Sequence, residues 1–238
     1  MGYRWFFLVL CAVAVHAHGA RFEIKDAGFR NLLYVISDAF LEKILGQSNA
    51  VEGWIELNPQ KIRDGVQGRF VTDLRALETG STARNDLVLE TILLAPEHPV
   101  LTYEFTKTGK PTAGTLNHEV PVVLRVEGQL TLRGISRPVP IFLRLYYLTE
   151  SEVTRARLPG NLIKISTSFD VNLGEFGMSI PQVLSSRVAQ TLQISLDAIG
   201  TDMSAASVVV PAPDGPKPKD ASTRGRVAMP REPAVLSN

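Results

Sequence analysis

Strict alternation of apolar and polar side chains is the feature of this sequence that most constrains its fold. From Val122 to Leu132 every even position is apolar or glycine, and from Val139 to Tyr147 every odd position is apolar. A period of two places successive side chains on opposite faces of a strand, so each segment is predicted to be a half-buried antiparallel β-strand. The intervening RGISRP, in which Gly134 tolerates positive φ, predicts a tight turn between the two strands.

The same alternation recurs elsewhere in the body of the chain. It is found at 66–74, 101–105, 163–171 and 192–198, and less regular strands are predicted near 32–39 and 50–57. With turn residues between the segments, the total is about eight strands. An all-β sandwich or barrel is therefore predicted.

One segment departs from the period of two. The apolar side chains between Ser81 and Leu94 recur at a spacing closer to that of a helix. Ser81 or Thr82 is placed to act as the N-cap, and Pro96 and Pro99 follow the end of the segment. We therefore expect one short helix packed on the β body.

Both ends of the chain differ in composition from the body. Residues 1–20 contain a basic residue, an apolar run shorter than the ~20 residues that span a bilayer, and small residues before cleavage sites at Ala17 and Ala20. This order is typical of a secretory signal peptide, with an uncleaved anchor as the alternative. Residues 203–238 are rich in proline, alanine, serine and charge, which predicts a disordered tail, or a tail that contacts a partner. The β domain is then assigned to 21–202.

The composition argues against several classes of function. The only cysteine is Cys11, inside the predicted signal peptide, so we expect no disulfide and no thiolate metal site in the mature chain. His98 and His118 lie in or beside predicted loops at an unpaired spacing, so no metal site is expected. The chain lacks a G-x-S-x-G motif and a glycine-rich phosphate loop, and its 25 basic and 24 acidic residues form no long basic stripe. We therefore expect neither an enzyme nor a nucleic-acid-binding protein.

Four motifs in a consistent order resemble the YceI-like family. They are SDAFLEKILGQSNAVEGWIEL, GRFVTDLRALETGSTARNDLVLETILLAPEHPVLTYEF, VEGQLTLRGISRPVPI and LGEFGMSIP. The resemblance covers roughly residues 22–200. It implies an extended antiparallel lipocalin-like barrel, which in some members holds a polyisoprenoid or quinone-like chain, and many members are periplasmic.

The chain departs from the family pattern at two places. Ser37 and Asp38 stand where many relatives carry histidine, and Arg84-Asn85 replaces the commoner Arg-Asp. Any carboxylate that pairs with Arg84 must therefore come from elsewhere in the chain. Arg84 is either a residue at the barrel mouth that meets a polar head group, or a corner residue that fixes the helix on the barrel through an ion pair or by donating to a backbone carbonyl. The second interpretation is favoured.

The inward row of the strands combines small residues with aromatic ones, which fits either tight packing or a slot for a guest. The resemblance favours a slot for an apolar chain, whose burial contributes roughly 0.8 kcal/mol per CH2. Trp54 is expected either to line the mouth or to fill the barrel bottom. The candidate ligand-binding residues are Trp54, Phe70, Thr72, Arg84, Tyr103, Phe105, Leu130, Ile141, Leu143 and Phe169.

Together these features predict an exported, non-enzymatic barrel that binds an apolar or amphiphilic lipid and resides in the periplasm or is secreted. No cofactor is expected other than a bound isoprenoid or other lipid, and a homodimer is left open. The alternative is a structural or interaction protein with a solid barrel core and a tail that makes the contacts. A hydrolase is the least favoured alternative.

Overall fold

A computed structural model describes residues 19–203 of the 238-residue chain. These residues form one antiparallel sheet of ten strands. The strands are β1 (Ala20–Ile24), β2 (Leu32–Asp38), β3 (Lys43–Ser48), β4 (Val51–Leu57), β5 (Val66–Asp73), β6 (Val100–Thr108), β7 (Val122–Leu132), β8 (Ile135–Leu148), β9 (Leu162–Asn172) and β10 (Thr191–Thr201). The predicted signal peptide, residues 1–20, and the predicted tail, residues 203–238, lie outside the described residues except for positions 19, 20 and 203.

The sheet closes on itself to form a barrel. Its order runs β1-β4-β5-β6-β7-β8-β9-β10, and β10 then pairs with both β1 and β2. Strands β1 and β2 follow one another along β10 and form one arm of a long hairpin, which is interrupted at residues 25–31. Strands β3 and β4 form the other arm, because β3 pairs with β2 and β4 pairs with β1. The ten strands thus occupy eight positions around a closed antiparallel barrel. The predicted fold class is confirmed.

Burial along the strands follows the predicted alternation. Every even position of β7 is buried, and the apolar odd positions at the centre of β8 are buried too. The connecting turn has only two residues, Arg133 with φ 54° and Gly134 with φ 74°. Two successive positive φ angles are typical of a hairpin turn whose twist matches that of the strands. Since the turn is so short, β8 begins at Ile135, ahead of the alternating segment that starts at Val139.

The predicted helix is present as α1 (Thr82–Asp86), which continues into a π-helical turn, Leu87–Ile92. Ser81 is the N-cap residue, but its side chain makes no capping hydrogen bond. A second, four-residue helical turn that was not predicted, α2 (Glu152–Arg155), lies between β8 and β9. Within residues 19–203, no helix combines the length and apolar character needed to cross a membrane.

Two glycines of the inward row lie directly against aromatic rings at the barrel centre. A Cβ atom added to Gly128 would lie 2.5 Å from Cζ of Tyr103, and one added to Gly68 would lie 2.9 Å from Cε2 of Phe105. The Tyr103 ring passes over Gly128 in β7, and its hydroxyl donates to the Val139 carbonyl in β8 at 2.7 Å. Burial raises the pKa of Tyr103, so its hydroxyl remains a neutral donor. At the barrel centre, the small residues opposite aromatic ones therefore reflect tight packing.

The hydrogen bond from Tyr103 lies where the barrel wall is incompletely paired. Strands β8 and β9 pair only over 144–148 and 162–166. Pro138 and Pro140, which precede that stretch in β8, have no N–H to donate to a neighbouring strand. Val139 itself pairs with Gly128 of β7, and the Tyr103 hydroxyl adds a hydrogen bond to the Val139 carbonyl from inside the barrel.

A buried carboxylate anchors the interruption between β1 and β2. Asp26, whose side chain is 1% exposed, accepts two hydrogen bonds from Arg30 at 2.8 and 2.9 Å and one from the Gly28 N–H at 2.9 Å. Arg157, which lies after α2, approaches the same carboxylate at 3.2 Å. Burial alone would raise the pKa of Asp26, but the hydrogen bonds and the positive charges outweigh it and hold the pKa below its ordinary value.

The packing at Gly128 generates a first prediction. Gly128→Ala should lower the free energy of unfolding by about 1–3 kcal/mol, because the added methyl group overpacks a rigid site against Tyr103. Gly109→Ala is the control, since a Cβ there would meet only ordinary contacts of 3.4 Å and longer. Urea denaturation midpoints of the two variants measure the difference. Equal midpoints would show that the Tyr103 ring does not pack on Gly128.

The Asp26 cluster generates a second prediction. Asp26→Asn should cost about 1.5–3 kcal/mol at neutral pH, because hydrogen bonds to a charged group are lost. The folded-state pKa is depressed, so the contribution of the carboxylate is fully present above the unfolded pKa of about 3.9 and is lost as the pH falls through the lower folded value. We therefore expect the difference in unfolding midpoint between the wild type and Asp26→Asn to be smaller at about pH 3 than at about pH 7.

The matched control for Asp26 is Asp38→Asn. Asp38 forms an exposed ion pair with Lys43 at 2.9 Å. Such pairs contribute about 0–1 kcal/mol, so this variant should remain close to the wild type. A gap between wild type and Asp26→Asn that stays constant from neutral to acidic pH would contradict the assigned role of the ionised carboxylate.

Candidate functional site: an apolar cavity at one end of the barrel

A cavity of about 70 Å³ lies at one end of the barrel, away from the packed aromatic centre. Its lining is almost entirely apolar and includes Val35, Ile44, Val88, Ile92, Leu132 and Ile194. The two hydroxyl groups in the lining belong to Ser37 and Thr79. Both hydroxyls are already hydrogen-bonded, Ser37 to the Ala189 N–H and Thr79 to Asn85 and Arg84, so the surface that the cavity presents is almost wholly apolar.

Three segments cover this end of the barrel, and we refer to them together as the roof. They are the β2–β3 hairpin around residues 37–44, the helical segment 82–92 and the loop 182–190 that precedes β10. The hairpin and the loop are joined by two hydrogen bonds of 2.8 Å, from the Leu41 N–H to the Ser186 carbonyl and from the Ala189 N–H to Ser37 Oγ. Ser37 thus holds the roof as well as lining the cavity.

One carboxylate links all three segments of the roof. Arg84 of α1 donates to Glu42 Oε1 at 2.7 Å, and Arg187 of the loop lies 3.5 Å from Glu42 Oε2. Arg84 also donates to the Thr79 carbonyl at 2.7 Å. The carboxylate missing from the Arg84-Asn85 dipeptide is therefore supplied by the hairpin.

Asn85 takes a structural role at the same corner. Its side-chain oxygen accepts hydrogen bonds from the Thr79 N–H at 2.8 Å and from the Thr79 hydroxyl at 2.6 Å. Its side-chain nitrogen donates to Glu78 Oε2 at 2.6 Å. A neutral amide can both accept from Thr79 and donate to a carboxylate, which an ionised aspartate in its place cannot do.

The aromatic members of the predicted site lie at the barrel centre and do not line the cavity. Phe70, Phe105, Tyr103 and Phe169 form a continuous row of rings whose centroids are 5.4 to 6.2 Å apart. This arrangement joins four predicted residues into one packed cluster. Their role in ligand binding remains a prediction.

The remaining predicted residues are dispersed. Leu130, Ile141 and Leu143 are no more than 1% exposed, and Thr72 is 2% exposed, so all four belong to the core. None of them, and neither Arg84 nor Trp54, lines the cavity. Arg84 instead forms the corner ion pair.

Trp54 neither lines a mouth nor fills the barrel bottom, which corrects both sequence-based expectations. In β4 the buried residues are Val51, Ile55 and Leu57, so the intervening even positions face outward. Trp54 is accordingly half-buried on the outer surface, with the Arg21 guanidinium 4.2 Å from its ring centroid.

Sequence reasoning missed the residues that do line the cavity. Part of the lining lies in the less regular β2 and β3, in the helical segment 82–92 and in the loop before β10. The rest lies in the alternating strands, at positions such as Leu101, Leu132 and Ile194 that were not selected as site residues.

The sequence pattern that could have predicted the part of the lining in β2 and β3 spans only a few residues. Ile44 and Gly46 share one face of β3, and Val35 and Ser37 share one face of β2.

Two histidines, His98 and His118, lie within residues 19–203. His118 Nδ1 lies 3.1 Å from the Thr149 N–H, from which it accepts, so it supports the loop that follows β8. Among the described residues, no group of three or more His, Cys, Asp or Glu side chains is arranged to hold a metal ion.

Comparison with solved structures identifies proteins of the same fold. BcnA from Burkholderia cenocepacia superimposes with a TM-score of 0.57 at 16% identity, over 72% of this chain and 97% of its own. A polyisoprenoid-binding domain from Saccharophagus degradans, implicated in plant cell wall breakdown, gives 0.57 at 13% identity, over 77% and 98%. The YceI protein of Campylobacter jejuni gives 0.52 at 12% identity, over 65% and 82%.

At these identities the solved structures establish the fold alone. No curated protein matches the chain. The family model described as the YceI-like domain, however, matches residues 25–199, which is most of the chain and nearly all of the barrel. The chain therefore belongs to the YceI-like family.

Proposed function

We propose that this barrel binds the apolar chain of an isoprenoid, quinone-like or similar amphiphilic lipid at the roofed end. The observation that carries the proposal is the cavity itself, whose lining is apolar apart from Ser37 and Thr79. Family membership and the fold shared with a polyisoprenoid-binding domain support the same class of ligand. The role assigned to the chain is binding rather than catalysis.

The size of the cavity determines how such a ligand would be accommodated. A volume of about 70 Å³ corresponds to roughly two water molecules at ~30 Å³ each, whereas pockets for small organic ligands typically measure ~300–1,000 Å³. Loading a lipid chain therefore requires the roof to move. Each methylene group then buried contributes roughly 0.8 kcal/mol, so a long chain offsets the cost of displacing the roof.

The two hydroxyl groups of the lining are hydrogen-bonded within the roof, Ser37 to the Ala189 N–H and Thr79 to Asn85 and Arg84. The closed cavity therefore receives the apolar chain of an amphiphile. Displacement of the roof would free these hydroxyls for its polar group. Arg84 would then contribute by holding Thr79 in place rather than by direct contact with the ligand.

A structural or interaction protein with a solid barrel remains the alternative, because the barrel centre is already filled by its own side chains. The same packing explains why the proposed site is at the end of the barrel rather than along its axis. The two proposals predict different effects of a larger apolar side chain in the cavity. It weakens lipid binding only if the lipid occupies the cavity.

A matched pair of phenylalanine substitutions separates the two. Val35→Phe places additional carbon atoms in the cavity, so the free energy of unfolding should change little while polyprenol binding weakens by roughly tenfold, as expected if about two methylene groups lose their burial. Leu143→Phe overpacks the filled centre and should cost ~1–3 kcal/mol. Its lipid binding, measured under conditions where it is folded, should remain near that of the wild type.

The measurements are urea midpoints of delipidated protein and binding of a polyprenol by the same samples. Mass spectrometry of a solvent extract of the freshly purified wild type shows whether a lipid is already bound. A wild type that carries no lipid and takes up no polyprenol would refute the proposal and favour the solid-barrel alternative.

We further propose that the chain is exported, to the periplasm or beyond, and that its signal peptide is cut after Ala17. The register of β1 supports this choice over Ala20, because Ala20 already pairs with Leu57 in β4. Cleavage after Ala20 would remove the first residue of β1, whereas cleavage after Ala17 leaves the strand complete.

Intact-mass analysis of protein recovered from the cell envelope or the medium tests this. The expected mature chain begins at His18. A mass that retains Met1 would contradict export by a cleaved signal peptide, and an N-terminus at Arg21 would contradict the argument from β1.

A further inference from the structure

A second pocket, of about 290 Å³, lies on the outer face of the barrel at the interruption between β1 and β2. Asn31 precedes the first residue of β2, whereas the roof is built around the other end of that strand, so this pocket is separate from the apolar cavity. Lipid binding gives it no role. Its polar lining comprises Arg30, Asn31, Arg157, Lys164 and Asp197.

Two donors of this lining are buried without a hydrogen-bond partner. Within residues 19–203, three buried side-chain nitrogen or oxygen atoms lack a partner, and two of them are Asn31 Nδ2 and Arg157 Nε. Asn31 is only 1% exposed, and its Oδ1 accepts from the Ile199 N–H at 2.9 Å. That bond fixes the orientation of the amide, so the unpaired group is its NH2. An unpaired buried donor carries the full cost of its desolvation, so both groups favour an acceptor from outside the chain.

The positive charge of Arg157 is also incompletely compensated. Arg157 approaches Asp26 at 3.2 Å, but that carboxylate already accepts two hydrogen bonds from Arg30 and one from the Gly28 N–H. Arg30 lies alongside and donates to the Arg157 carbonyl at 3.0 Å. Burial and, next, the charge of Arg30 lower the pKa of Arg157 below its ordinary value, and Asp26 offsets them only in part. Two guanidinium groups therefore share one carboxylate beside the pocket.

The nearby carboxylates do not supply the missing acceptor. Glu150 accepts from Arg155 at 3.0 Å, and Asp202 accepts from the Asn161 side chain at 2.8 Å. Asp197 lines the pocket at an exposed position of β10, where it would oppose an anion. Since the surrounding loops and strands carry charges of both signs, it is the unpaired donors, rather than a net positive charge, that select the ligand.

We propose that this pocket binds a phosphate group, either free or carried by a small organic molecule. Arg30, Asn31, Arg157 and Lys164 all offer N–H donors, which suits a group with three or four oxygen atoms better than a carboxylate with two. Arginine forks match phosphate oxygens, and lysine adds a point charge. Both unpaired donors are covered in this structure, so binding includes a local adjustment of the Arg157 side chain, which is 29% exposed.

The volume of the pocket leaves room for more than the phosphate group. At about 290 Å³ it is close to the lower end of the ~300–1,000 Å³ that is typical of sites for small organic ligands. Because the pocket lies outside the barrel, phosphate binding is independent of lipid binding, and either can fail without the other.

Isothermal titration calorimetry of the full chain, in a buffer free of phosphate and sulfate, tests the proposal with inorganic phosphate and glycerol 3-phosphate as probes. At least one of them should bind saturably in the millimolar range or below. Glycerol 3-phosphate binding as tightly as phosphate, or more tightly, would identify a phosphomonoester as the ligand class, and tighter binding of phosphate would identify the free ion. Absence of saturable binding by both probes would overturn the proposal.

Three substitutions locate the site. Arg157→Gln and Lys164→Gln should each weaken binding by roughly tenfold, as expected for the loss of one charge-assisted hydrogen bond. Asp197→Asn should tighten binding several-fold, because it removes a like charge from the lining. Lys164 and Asp197 are both exposed, so these two variants should fold as the wild type does even if Arg157→Gln disturbs the Asp26 cluster. Urea midpoints verify that each variant is folded.

Arg125→Gln is the matched control, because Arg125 is an exposed arginine of β7 that pairs with Glu127 at 3.3 Å and does not line the pocket. It removes the same charge and should leave binding unchanged. Equal losses in the control and the pocket variants would show nonspecific attraction of anions and overturn the proposal. Weaker binding by Asp197→Asn would also overturn it, since a carboxylate cannot assist the binding of an anion of like charge.

Discussion

An eight-stranded barrel encloses a space that its own side chains are just able to fill. In this protein the rings of β5, β6 and β9 fill the centre, and glycines of β5 and β7 make room for them. The Tyr103 hydroxyl adds to this packing a hydrogen bond to the carbonyl of Val139, the residue of β8 that pairs with Gly128. Because the centre is occupied, any guest must be held at an end of the barrel, and the position of the cavity follows from this constraint.

The roof is held differently from the centre. Its segments are joined by Glu42 with two arginines and by a few backbone hydrogen bonds, and partly exposed ion pairs contribute only about 0–1 kcal/mol each. The centre is held by buried aromatic packing, where overfilling costs more. The least costly deformation of this end is therefore displacement of the roof, which is also the deformation that gives access to the cavity.

How much of this arrangement the sequence predicts depends on how many consecutive residues each pattern spans. Long alternation in β7 and β8 gave the strands and the faces they bury, because the period of two is a local property of the chain. The Arg84–Glu42 pair joins residues 42 positions apart and has no local signature. The pairing of glycine with aromatic residues fitted both a slot and tight packing, and only the three-dimensional contact of Gly128 with Tyr103 distinguishes them. Trp54 was misplaced because a single aromatic residue in a short strand does not reveal which face it occupies.

The central claim is that the barrel centre is solid and that the apolar chain lies beneath the roof. Photo-cross-linking with a polyprenol that carries an aliphatic diazirine, followed by peptide mass spectrometry, locates the bound chain directly. The account predicts adducts on cavity residues such as Val35, Ile44 and Leu192. Adducts concentrated on Leu130, Leu143 and Phe169 would place the lipid along the barrel axis and contradict it.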